Sequence, residues 1–246
     1  MMAVQSTRDQ TRNGGSAKRV HKGRTVVLAV LALVVVSAVV VLLLPTGTTE
    51  QFDAGAYDFA PDTVLVLDGV PVVAQQTDHT CWAASLIMET SFLGADMSEE
   101  EVIDRLGLQS RTSGLLPNAF LTQANNLLTP LGYSVSLLNP DSEAGILNIV
   151  TGSLRDGLPV IIYFTSVDDW HRPSFGTHYS VVYGINMMDE TVNVSNAYGY
   201  DEVMPFAELF DSLSYRNYEA EPFPHLLGRK VGYIKSNNLF VLTQIG

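Results

Sequence analysis

The sequence predicts an α+β fold, and three observations carry that prediction. Helical patterns crowd the first half of the globular region and strand patterns the second, without the βαβ alternation of a parallel sheet. The run that starts at Cys81 is apolar on nearly every face, so it belongs inside a domain rather than on its surface. No period of 20–50 residues recurs, which excludes a repeat architecture. A central helix lying against a mainly antiparallel sheet, with the functional site between them, is the arrangement this order implies.

Each element has its own signal. Residues 63–67 and 70–73 read as short extended pieces. A helix is predicted over 81–93, closed by Gly94 as the residue after its end. Ser98-Glu99-Glu100-Glu101 is a capping box, opening a short amphipathic helix that ends near Gly107. Pro117 starts a third helix, to about Leu128. Residues 133–137 alternate as a strand. Asp141-Ser142-Glu143 opens a helix running to Arg155 and stopping at Gly157. The strand over 159–164 is apolar on both faces and therefore central. Residues 178–185 and 190–195 form two more strands, turning near Met188-Asp189. Residues 203–213 read as a helix despite Pro205. Residues 230–234 and 239–242 read as a terminal hairpin through Asn237-Asn238.

Four regions follow from composition. Residues 1–24 form a polar tail with six basic residues against one acid, a charge of +5, and are expected to be disordered. Residues 25–44 are 20 residues without a charge, long enough to cross a bilayer as one helix at 1.5 Å per residue. Residues 45–61 form a linker, and 62–246 the globular domain. The positive-inside rule keeps the tail cytoplasmic and the domain outside the cell membrane as a single-pass protein. A cleaved signal peptide is the rival to this anchor. The whole chain carries −12, so the part after residue 24 carries −17. That charge argues against nucleic acid as a partner.

The chemistry centres on Cys81, the only cysteine. An exported domain with one cysteine has no internal disulfide, so the thiol is either buried and inert or reactive. Here it sits where a polar loop ends and a helix begins. Helix N-termini carry unpaired N–H groups and a partial positive charge that favour a thiolate. Of five histidines, His178 opens a strand directly after a Gly/Thr loop, where a scaffold presents side chains to a cleft. His79, two residues before Cys81, is poorly placed to reach around the helix start. Asn196 ends the next strand, so a hairpin would bring it beside His178, where its side-chain oxygen can hold the imidazole in one tautomer. Gln75 precedes Cys81 by six residues and can donate its amide to a developing oxyanion, with the adjacent Gln76 as the alternative. Trp82, Gln76 and Trp170 are candidates for lining a substrate cleft. One cysteine and scattered histidines give no metal-ligand spacing, and no cofactor is expected.

The order Gln75, Cys81-Trp82, His178, Asn196-Ala197-Tyr198-Gly199 resembles the papain-like cysteine peptidase superfamily. Val70-Pro71, Cys81-Trp82-Ala83-Ala84, the strand after Leu158-Pro159, and Gly176-Thr177-His178-Tyr179-Ser180-Val181-Val182-Tyr183-Gly184 resemble its bacteriocin-processing, double-glycine-leader branch. That branch usually has Asp where this chain has Asn196. The resemblance, over about residues 70–215, implies a papain-like fold and a cysteine peptidase with a Cys-His-Asn triad; together with the apolar run at 25–44 and the basic tail before it, the expectation is a membrane-anchored, extracytoplasmic enzyme. It implies Cys81 as nucleophile, His178 as base, Asn196 as orienter, Gln75 in the oxyanion hole, and a peptide or protein as substrate. A transpeptidase or amidase acting on envelope amides would use the same triad, and an inactive binding module would keep the fold alone. Nothing in the sequence sets the oligomeric state.

Overall fold

The computed structural model describes residues 60, 62–108, 114–166, 176–216 and 223–245. The basic tail, the apolar run at 25–44 expected to cross the membrane, and nearly all of the linker lie outside these residues. Among the described residues no helix is long and apolar enough to cross a membrane. All of them belong to one compact unit, Gly47–Gly246.

After a short strand β1 (Val64–Val66) come three helices: α1 (Cys81–Phe92), α2 (Glu99–Arg105) and α3 (Pro117–Leu128). Each starts where the sequence places it. The α2 capping box is complete: Ser98 Oγ accepts from the Glu101 N–H, and Glu101 accepts from the Ser98 N–H at 2.8 Å. Gly94 follows α1 at φ +82°, a conformation that favours glycine. Next come β2 (Tyr133–Leu138), α4 (Glu143–Arg155), β3 (Val160–Ser166), β4 (Gly176–Asn186) and β5 (Thr191–Asn196). The chain continues through β6 (Tyr200–Pro205), α5 (Phe206–Leu213), α6 (Phe223–Lys230) and β7 (Asn238–Gln244).

The strands form one sheet in the order β2-β7-β3-β4-β5-β6, with β1 paired to β4. The pairings are antiparallel. Strand side chains alternate between faces, and β3 divides accordingly. Ile161 and Tyr163 join the core built with α1, α2 and α3, whereas Val160, Ile162 and Phe164 join the core built with α4 and α5. The α+β class and the antiparallel sheet are therefore as expected, with helices on both faces.

Three local expectations fail. Residues 70–73 form no strand, although Pro71 is held by Ser195 Oγ, which donates to its carbonyl at 2.9 Å. Residues 203–205 belong to β6 rather than to a helix. Pro205 has no N–H for a helical bond and stands as the N-cap, so α5 starts at Phe206. The terminal hairpin is replaced by α6 and by β7, which inserts between β2 and β3. Residues 230–234 turn through Gly232 at φ +74°, and Ile234 packs on Gly228 of α6.

Candidate active site

Cys81 is the first residue of α1, 6% exposed, and packs in the core beside Tyr179 and Tyr163 of the sheet. Two effects oppose each other at its sulfur. Burial pushes the thiol above its ordinary value, while the backbone N–H groups of Tyr179, Trp82 and Cys81 itself favour the thiolate. Burial is the larger. This corrects the expectation that a helix start alone would make the thiol acidic: the partial charge is present, but the loss of water outweighs it.

The Tyr179 N–H ties the thiol to β4 at the residue next to His178. His178 is 2% exposed, and its ring is held on three sides. Its Nε2 lies 3.0 Å from Asn196 Oδ1. The Tyr198 ring stacks on it at 4.0 Å between centroids and 11° between planes, and Phe164 meets it edge-on at 5.7 Å. The pairing of β4 with β5 explains the first contact. Ser180 stands opposite Asn196, so His178, two residues earlier on the same face, is its diagonal neighbour.

Asn196 is 2% exposed with all four hydrogen-bonding positions filled. Oδ1 accepts from the imidazole and from the Tyr198 N–H at 3.0 Å. Nδ2 donates to Glu202 Oε1 at 2.7 Å and to the Tyr200 hydroxyl at 3.3 Å. An amide oxygen cannot donate, so in this orientation the imidazole proton resides on Nε2 and Nδ1 of the neutral ring is left as the basic nitrogen.

The segment before α1 is anchored to the same strand end. The Gln75 N–H donates to the Ala197 carbonyl at 2.7 Å. Gln75 is half-buried, and its Oε1 is buried without a hydrogen-bond partner. Gln76 is exposed and turned the other way, its N–H bonded to Glu99 of α2 at 3.1 Å. Gly199, at φ +94°, lies so close to this segment that an added Cβ would sit 2.7 Å from the Ala74 Cβ.

The cleft candidates fare differently. Trp82 is 1% exposed and sits in the core behind the thiol, so it offers no surface to a substrate. Side chains of successive helical residues point about 100° apart, which sends Trp82 inward beside Cys81. Trp170 lies outside the described residues. His79 is exposed in the loop. Sequence reasoning missed Tyr198, Tyr200 and Glu202. Glu202 became visible only with β6, whose register sets Tyr200 opposite Asn196 and Glu202 opposite Val194.

Three solved peptidase domains resemble this chain. The first is a double glycine motif protease from an AMS/PCAT transporter, solved in complex with the leader peptide. It shares 14% identity at a TM-score of 0.47, covering 73% of this chain and 94% of that one. The peptidase domain of Streptococcus ComA, a bifunctional ABC transporter of a quorum-sensing pathway, shares 12% identity at 0.43, covering 72% and 99%. The N-terminal peptidase C39-like domain of the toxin secretion ATP-binding protein from Vibrio parahaemolyticus shares 14% at 0.40, covering 68% and 97%. No family model and no curated protein matches the sequence.

Proposed function

We propose that the chain is a thiol-dependent peptidase that cleaves peptide bonds through Cys81, His178 and Asn196, and that it acts outside the cytoplasm, anchored by residues 25–44. One observation carries the chemistry. The only thiol of the chain, at a helix N-terminus, accepts the N–H of the residue next to a histidine whose ring is held by an asparagine. In this reading His178 Nδ1 takes the thiol proton, and the thiolate attacks the substrate carbonyl. The imidazolium then protonates the leaving amine, and water releases the acyl group from the sulfur. The N–H groups at the start of α1, with the Gln75 amide, stabilise the oxyanion. The Gln75 backbone bond to Ala197 and its half-buried side chain favour it over exposed Gln76 for that role.

Alkylation of Cys81 tests the reading without a known substrate. Because burial raises the thiol, a thiolate at neutral pH requires the imidazolium. Wild-type protein should react with iodoacetamide at pH 6.5 at least about tenfold faster than His178→Ala, one pKa unit being tenfold in thiolate. Equal rates across pH 5–9 would remove the base and with it the peptidase.

A further inference from the structure

We propose that Glu202 is a positioning residue of this site: its carboxylate holds the Asn196 amide with the oxygen toward His178 and supports the protonated form of that ring. The proposal rests on the peptidase reading for its catalytic meaning, but the geometry stands without it.

A buried primary amide can bind a ring nitrogen with either end. With Nδ2 toward His178 the imidazole would have to accept, its proton would move to Nδ1, and no basic nitrogen would be left for a thiol. The orientation therefore decides whether His178 can serve as a base. Two groups fix it from opposite ends. The Tyr198 N–H can only donate, and meets Oδ1 at 3.0 Å. An ionised Glu202 can only accept, and meets Nδ2 at 2.7 Å. The second bond involves a charge and is the shorter, so it is the stronger restraint. Without Glu202, Nδ2 keeps only the Tyr200 hydroxyl at 3.3 Å, a group that both donates and accepts and so does not choose an end.

The same carboxylate acts on charge. Among the described residues, the side chains bonded to the amide of Asn196 are His178, Tyr200 and Glu202, and Glu202 is the carboxylate. It is half-buried at the β6 sheet edge, so its field is less screened than that of a fully exposed acid. A negative group one amide away favours the imidazolium over the neutral ring. Burial and the charge of Glu208 on α5 raise Glu202 above the usual carboxyl value, while the Asn196 hydrogen bond holds it down. The result is a chain in which acid, amide and imidazole each fix the next.

The test reads His178 directly. Full-length protein carrying ¹⁵N-labelled histidine is titrated by NMR, and the His178 signals are identified by their loss in His178→Ala. The wild-type neutral ring should be the Nε2-protonated tautomer. Glu202→Gln can still accept from Asn196 through its carbonyl, so the tautomer should persist while the ring's midpoint falls by about half a unit or more, roughly a threefold or greater loss of imidazolium at pH values well above the midpoint. Glu202→Ala should also mix the tautomers. If melting shows that Glu202→Ala does not fold, the near-isosteric Glu202→Gln alone decides. A midpoint unmoved within about 0.2 unit in Glu202→Gln, well below the effect of a nearby charge, would overturn the proposal. The two readings separate cleanly. If His178→Ala leaves Cys81 alkylation unchanged while Glu202→Gln moves the ring, the peptidase fails and the positioning role stands. If His178 controls alkylation but ignores Glu202, the reverse holds.

Discussion

Glu89 lies two helical turns after Cys81 on α1, is fully buried, and neither carboxyl oxygen has a hydrogen-bond partner. Burial pushes its pKa from 4.5 to about 8. The sign of the consequence follows from proton counting. Between about pH 4.5 and 8 the unfolded chain has released this proton and the folded chain has kept it. Folded protein therefore binds more protons, and stability falls as pH rises through that window, levelling off above it. Each pH unit is worth about 1.4 kcal/mol inside the window. Integrated over the two pKa values, the loss from pH 5 to pH 7 is about 2.5 kcal/mol. Glu89→Gln has nearly the same shape and does not titrate, so the difference between variant and wild type isolates this group. Urea unfolding of the full-length protein, followed by tryptophan fluorescence at pH 5, 6, 7 and 8, should show the variant gaining on wild type by about 2.5 kcal/mol between pH 5 and 7, roughly 1 M in midpoint. Parallel stability curves would refute the reasoning, because they would mean that Glu89 ionises inside the fold as readily as outside it.

Two further outcomes are expected. Once a peptide substrate is in hand, Gln75→Ala should lower kcat by about a hundredfold, as loss of an oxyanion donor does, whereas Gln76→Ala should leave it within about twofold; the opposite pattern would reassign the donor. If residues 25–44 anchor the chain as proposed, protease added to intact cells should remove the domain after residue 61 and spare the tail before residue 25; a fully protected domain would overturn that orientation.

Local chemistry explains which elements could be read in advance. The α1 start was legible because a polar loop meets an apolar run at Cys81, and the α2 start because Ser98 and Glu101 satisfy each other's backbone groups. Strand β3 announced its central place by being apolar on both faces. The failures lie where the deciding partner is remote. Phe206, Leu209, Phe210 and Leu213 have helical spacing that extends back to Val203, and the pairing of 203–205 with β5 has no local mark. Missing β6 hid Glu202 and Tyr200, hence half of the hydrogen bonding around Asn196. His178 and Asn196 could be named because a hairpin brings neighbours in sequence together in space. The rise of the Cys81 thiol could not be read, since it depends on how completely the sheet covers the helix start.

The insertion of β7 has a consequence for how the protein comes into being. Tyr133 of β2 pairs with Gln244, more than a hundred residues later, and β2 reaches β3 only through β7. While the chain is being synthesised, β2 and β3 both exist with open edges and no partner for each other. Unpaired edges invite pairing with other chains, and closing so long a loop is slow. The sheet can be completed only after residues 238–244 have emerged. A nascent chain must therefore be kept apart from its neighbours until nearly all of the domain has been made, and truncation within the last strand should yield aggregates rather than a smaller folded protein.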